Sequence, residues 1–306
     1  MKKILLTGVT GQVGRALQRH LAQFPLTDWQ VVACDRQQLD LTAPEQIRSV
    51  VREVAPALII HPAAYTAVDQ AESEAALAFA INATAPRVLA EEAARLKAGM
   101  IHFSTDYVYD GTKPSEYVEA DKVNPVSVYG ASKLAGEDAI RQVGLPHLIL
   151  RTSWVYGADG KNFLKTILRL ASTRESMRIV SDQNGAPTSD ASIAQAVRQL
   201  LDVWQVDHAE HTGVYHLVNR GETSWFGFAS AIVDRYQQLA TVRGWPALAV
   251  KEIEPILAAD YPTPAKRPSN SKLSTQKLKQ TFGVMLPEWQ ESLAQVMHRL
   301  TPGVNL

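Results

Sequence analysis

The chain has 306 residues, 46% of them hydrophobic, and its 31 basic and 31 acidic side chains leave no formal net charge. That length and apolar fraction suit a folded body of one or two domains with a full core and argue against disorder. A balanced charge without a dense Lys/Arg stripe argues against a nucleic-acid binder, and Cys34, the single cysteine, excludes an internal disulfide and a cysteine-rich zinc site.

In chain order, residues 3–7 read as a buried strand and 12–24 as a helix. The apolar start breaks at Thr7-Gly8, short of the ~7–15 residues of a signal-peptide core. No stretch approaches the ~18–20 apolar residues of a membrane span. With one cysteine, the reading is a cytoplasmic protein. Residues 30–34 form the next strand, 44–54 a helix with Pro44 in its first turn, and 57–61 a third strand. An Ala-rich helix follows over 73–97, a strand over 100–104, a helix over 128–142 and a strand over 147–152. Strands alternating with helices predict an α/β fold, a doubly wound parallel (Rossmann) sheet covered on both faces. Residues 1–153 are assigned to this dinucleotide-binding domain. Beyond Ser153 the rhythm loosens, so 154–306 is read as a smaller α/β lobe that mainly binds substrate, with segments that could cross back to the sheet.

Gly8, Gly11 and Gly14 stand between the first strand and the first helix with the spacing G-x-x-G-x-x-G. Glycines there let the backbone turn sharply and approach a pyrophosphate, which then faces the helix N-terminus. Asp35 closes the second strand, where a carboxylate can bond ribose hydroxyls. Asp35 favours NADH, whereas Arg36 can pair with the 2′-phosphate of NADPH or stand as a solvated cation. Both cofactors are therefore expected to bind.

Tyr129 and Lys133 lie four apart at the start of a helix, so their side chains share one face. An ammonium beside a phenol would lower the tyrosine pKa towards the working range. The spacing alone is weak evidence, since Tyr109 and Lys113 repeat it in a segment that Gly111 and Pro114 mark as a loop. Position favours Tyr129: its helix follows the strand that ends in Ser104-Thr105-Asp106, and ligands of open α/β sheets bind at strand carboxyl ends. Thr105 is the natural third member, its hydroxyl beside Tyr129. A hydroxyl at 104 or 105 can equally bond nearby backbone.

On these residues the chain resembles the extended short-chain dehydrogenase/reductase family. The likeness runs over almost the whole chain and includes Ala63-Ala64-Tyr65-Thr66-Ala67-Val68-Asp69, Ser104-Thr105-Asp106-Tyr107-Val108-Tyr109, Arg151-Thr152-Ser153-Trp154-Val155-Tyr156, Asp182-Gln183-Asn184-Gly185-Ala186-Pro187-Thr188 and Arg267-Pro268-Ser269-Asn270-Ser271. The resemblance implies that NADPH or NADH reduces the 4-keto group of dTDP-6-deoxy-L-lyxo-4-hexulose to dTDP-L-rhamnose. It implies that Thr10, Gly11, Gln12 and Val13 touch the cofactor phosphates, that Asp40 and Leu41 lie by the adenine, and that Ala63, Ala64, Tyr65 and Thr66 line the cofactor further along. Tyr129 and Lys133 would serve both catalysis and the nicotinamide end. Ser104, Thr105, Asp106, Tyr107, Val68 and Trp154 would meet the sugar, and Arg267 the diphosphate. Trp154 offers a flat face and an indole N–H, but tryptophan also packs well in any core.

Some members of the family form a dimer bridged by magnesium through glutamates. This chain has Ala16, Ala191 and Arg299 at the corresponding places, none of them a magnesium ligand. No structural metal is expected, and the protein is read as a monomer or a weak homodimer without one. His208 and His211 read as part of a polar surface loop. Two rivals remain: a non-catalytic NADP-binding regulatory subunit resembling that of methionine adenosyltransferase, and a nucleotide-sugar epimerase or dehydratase. An intact Thr105/Tyr129/Lys133 set opposes the first, and the lack of a Glu after Asp106 opposes a dehydratase. Dual cofactor use predicts dissociation constants for NADH and NADPH within about 100-fold, about 3 kcal/mol; titration of each cofactor, followed by its fluorescence, checks this.

Overall fold

The alternation of apolar side chains along the first strand decides what packs on each side of the sheet. In the structure, a computed structural model describing residues 1–204 and 210–300, Ile4 and Leu6 face one apolar cluster and Leu5 the other, as the two-residue period of a strand requires. Strands β1 (Lys2–Leu6), β2 (Trp29–Ala33), β3 (Leu58–His61), β4 (Gly99–Thr105) and β5 (His147–Thr152) lie in the order β2-β1-β3-β4-β5, with Gly213–His216 beyond β5. All the pairings are parallel. β4 and β5 are buried along their whole length, polar side chains such as His102, Ser104 and Arg151 included. The strand order reverses between β1 and β3, which opens a crevice above their carboxyl ends.

Helix α1 (Gln12–Gln23) covers one face of the sheet together with the helix Asp190–Trp204. Helix α2 (Pro44–Val54) covers the other with the helices Ala85–Arg95 and Val128–Val143. Two segments of the second half therefore belong to the large sheet: Gly213–His216 pairs with β5, and Asp190–Trp204 packs on α1. A separate apolar cluster in the second half is built from the helices Phe163–Ala171, Trp225–Arg243 and Trp289–His298.

The Ala-rich run is helical as expected but not in one register. An α-helix over Ala75–Phe79 passes into a π-turn, Ala80–Thr84, before Ala85–Arg95 resumes. Pro86 explains the change, because it has no N–H to give the carbonyl of residue 82. That carbonyl meets Gly136 of the helix Val128–Val143, where an added Cβ would lie 2.1 Å from it. This helix starts with the Ser127 hydroxyl accepting from the Gly130 N–H, and ends at Gly144 with φ +76°.

Gly136→Ala therefore forces two helices apart. It should lose about 1–3 kcal/mol in urea denaturation and lose turnover as Tyr129 and Lys133 are displaced. Gly144→Ala, with nothing within 4 Å of the new Cβ, should lose about 1 kcal/mol through its left-handed backbone with turnover intact.

Candidate active site

The crevice is shaped by backbone that no side chain could replace. Gly8 has φ +61°, and a Cβ there would stand 2.8 Å from Ala63; one at Gly14 would stand 2.1 Å from the Gly8 carbonyl. The first turn of α1 carries no side-chain cap and no acidic residue, so its N–H groups face the crevice as an anion site. A cleft of about 490 Å³ runs from this loop. Lining it are Gly8, Thr10, Gly11, Gln12, Val13, Gly14, Asp35, Arg36, Asp40, Leu41, Ala63, Ala64, Tyr65, Thr66, Tyr129 and Lys133, the whole set expected at the cofactor. The geometry fits a dinucleotide: uncapped N–H groups and a glycine cradle at one end, Tyr129 and Lys133 at the other.

Several of these side chains also shape their own loops. Asp35 accepts from the Gln37 and Gln38 N–H groups. Asp40 accepts from the Thr42 N–H and hydroxyl, which hold its carboxyl below the usual range. Tyr65 is held by Asn82, which the sequence did not single out. Asn82 accepts from the Tyr65 N–H at 2.8 Å, and donates to the Tyr65 carbonyl and the Ser132 hydroxyl, each at 3.0 Å. Its only signal in the sequence is a polar side chain within an Ala-rich helix.

At the carboxyl end of β4 the Thr105 hydroxyl accepts from the Tyr107 N–H and donates to Asp106. Asp106 is 2% exposed, and one of its oxygens has no partner among the described residues. Burial raises its pKa to about 6, against hydrogen bonds from Ser271 and Thr105. Burial also pushes the Tyr129 phenol up to about 12; the Thr105 hydroxyl works against this and Asp106 adds to it. Lys133 is 2% exposed, and burial brings it down to about 8 against the pull of Glu137. The expected lowering of the tyrosine by the lysine is thus corrected. The Lys133 ammonium donates to the Phe103 carbonyl at 2.6 Å, and desolvation governs the phenol. At neutral pH Tyr129 is protonated and Lys133 charged.

The residues expected at the substrate are placed unequally. Tyr107 packs edge-on against Tyr129 with ring centroids 5.5 Å apart. Arg267 bonds Asp69 at 2.8 Å, next to Val68, and also reaches the Tyr107 phenol. Arg267 lines a second cleft of about 890 Å³ together with Gln183, Trp225 and Tyr261. Ser104 lines the first cleft, but its hydroxyl donates to the buried Glu137 at 2.5 Å, the structural alternative for a hydroxyl at this strand end. Trp154 has φ +49° and stacks on Trp225 at 3.6 Å and 11°. One of its faces is thus covered, and Trp225, which no motif marked, becomes part of this wall.

Glu137 and Arg151 are fully buried and paired through two hydrogen bonds, and Arg151 donates a third to Tyr109. Tyr109 in turn meets His216 at 2.8 Å, while Lys113 bonds Asp121; the second Tyr/Lys pair belongs to the core and a loop. His208 lies outside the described residues, and the His211 ring packs on Phe282. Among the described residues no three His, Cys, Asp or Glu side chains are grouped to hold a metal. Arg299 instead stands 3.7 Å from Asp159, which Arg19 bonds at 2.7 Å.

The family model described as RmlD substrate binding domain matches residues 1–301. A dTDP-4-dehydrorhamnose reductase of Burkholderia thailandensis is 47% identical over 291 residues, spanning 94% of this chain and 95% of that protein. The crystal structure of a dTDP-4-dehydrorhamnose reductase from Clostridium acetobutylicum superposes with a TM-score of 0.87 at 36% identity, over 97% of this chain and 98% of that one. The enzyme of that name from Bacillus anthracis, solved in complex with NADP, gives 0.86 at 35% identity, over 97% and 99%.

Arg151→Met should leave Glu137 buried without its cation and lose about 3–5 kcal/mol in thermal or urea denaturation. Ser104→Ala should lose about 1–2 kcal/mol with the KM of a keto-sugar nucleotide unchanged. A large rise in that KM would return Ser104 to the substrate.

Proposed function

The chain belongs to the RmlD substrate binding domain family, and from that premise we propose that it reduces the 4-keto group of dTDP-6-deoxy-L-lyxo-4-hexulose to dTDP-L-rhamnose with NADPH or NADH. The observation that carries this reading is Tyr129 and Lys133 together at the end of a cleft lined by the glycine loop, with the Thr105 hydroxyl hydrogen-bonded to the Tyr129 phenol. When bound, the nicotinamide cofactor supplies the hydride. Gly8, Thr10, Gly11, Gln12, Val13 and Gly14 hold its phosphates at the N-terminus of α1, and Asp35 and Arg36 meet the adenosine ribose or its phosphate.

The chain's own part is to bind the ketone and deliver a proton. The Thr105 hydroxyl and the Tyr129 phenol bond the carbonyl oxygen, and Tyr129, neutral at pH 7, donates the proton that oxygen needs as negative charge develops. The Lys133 ammonium, buried beneath, favours that charge and bonds the nicotinamide ribose. Asp106, Tyr107, Val68 and one face or edge of Trp154 meet the sugar, and Arg267 the diphosphate, with residues 154–306 supplying most of that half. The lone buried Cys34 supports a cytoplasmic enzyme, and Ala16, Ala191 and Arg299, none of them a magnesium ligand, support a monomer or a weak homodimer without a bridging metal. A regulatory binder would have no use for a protonated phenol hydrogen-bonded to Thr105 at the cleft end. Tyr107, at the place where a dehydratase would want an acid-base Glu, supports a reductase.

Assay of dTDP-6-deoxy-L-lyxo-4-hexulose with NADPH should show stoichiometric oxidation of the cofactor. Tyr129→Phe should lose at least about 100-fold in turnover while its NADPH affinity, read by fluorescence titration, stays near that of the native chain. Near-normal turnover of the phenylalanine variant would remove Tyr129 from its role.

A further inference from the structure

Beneath Lys133 the sheet carries two histidines that the reaction described above does not use. His61 on β3 and His102 on β4 are register partners, both 0% exposed, with rings 5.3 Å apart and 24° from parallel. His61 Nδ1 lies 2.7 Å from the Thr7 hydroxyl at the end of β1. His102 Nε2 lies 3.3 Å from the Lys133 Nζ. A row of four side chains therefore joins the start of the glycine loop to the lysine across three neighbouring strands.

We propose that His102 is a positioning residue for Lys133: its neutral imidazole accepts one N–H of the ammonium through Nε2, the Phe103 carbonyl accepts a second, and the third is thereby turned to the cleft. The proposal rests on the reading of Lys133 as the cation beside Tyr129. An ammonium has three donors and no acceptor, so a ring nitrogen facing it must present a lone pair. The proton of His102 then sits on Nδ1, which has no partner among the described residues. A buried N–H left unpaired costs about 1–3 kcal/mol, and an apolar side chain would fill the site without that cost. Only the acceptor on the other side of the ring gives the histidine a use. Burial, Lys133, His61 and His147 together keep His102 neutral far below its usual titration range, so the acceptor persists at working pH. The charged and titratable groups acting on Lys133 are Glu137 from its own helix and His102 from the sheet, backed by His61; Tyr129, one turn earlier, lines the same cleft.

Two measurements on the full chain test this. In nitrogen-15 NMR of histidine-labelled protein, His102 should show an unprotonated Nε2 from pH 6 to about 9, moving as Lys133 titrates. A proton on Nε2 would overturn the proposal, whether or not the enzyme turns over any substrate, so this result is separate from the fate of the reductase reading. In kinetics, His102→Leu should lower kcat about ten-fold with the keto-sugar KM within about two-fold. Its alkaline loss of activity should begin about half a pH unit earlier, because a less solvated ammonium gives up its proton more readily. His102→Gln, whose amide oxygen can replace Nε2, should restore the native profile. A folded His102→Leu with the native pH profile would overturn the role, as would a folded glutamine variant no better than the leucine one. If His102→Leu does not fold, the NMR result on the native chain decides.

Discussion

One carboxylate holds the helix Val128–Val143 to the sheet. Glu137 is completely buried, accepts two hydrogen bonds from Arg151 on β5 and one from Ser104 on β4, and lies one helical turn beyond Lys133. A charge taken so far from water is tolerable only when it is paired and each of its oxygens is hydrogen-bonded. The geometry is therefore demanding: the helix Val128–Val143 can sit on the sheet in one place only. That place sets the heights of Tyr129 and Lys133 over the carboxyl ends of the strands. The same arginine continues to Tyr109 and His216, so the loop after β4 is fixed by the same network.

A second constraint joins this helix to the cofactor side. Pro86 frees a carbonyl, the helix loosens into a π-turn, and Asn82 is turned to clasp Tyr65 and Ser132 together. Such an insertion in a helix is a local defect, but here it aligns two walls of the cleft. Gly136 allows the approach, because no other residue fits against the Asn82 carbonyl.

Burial also decides the charges of the site. The same desolvation that keeps Tyr129 protonated brings Lys133 down towards neutrality and lifts Asp106 to about 6. A proton donor for a ketone needs the first of these effects. The second makes the acceptors around the ammonium matter, since a lysine whose charge is only moderately favoured depends on each group that solvates it.

Much of this was legible in the residues because it depends on local chemistry. Glycine spacing, alternation of strands and helices, and Ser104-Thr105-Asp106 ahead of Tyr129 and Lys133 marked the sheet, the glycine loop and the residues that line the cleft, since backbone freedom and hydrophobic period are properties of short segments. What only the tertiary structure decided involves partners far apart in sequence. Asn82 reaches Tyr65, Ser104 is bound by Glu137, Trp154 is stacked on Trp225, and His102 stands under Lys133. The pKa of Tyr129 belongs here too: a spacing of four residues shows that a lysine is near, whereas the sign of the shift depends on how much water remains and where the ammonium points. Those are properties of the packed interior, and no stretch of the chain carries them alone.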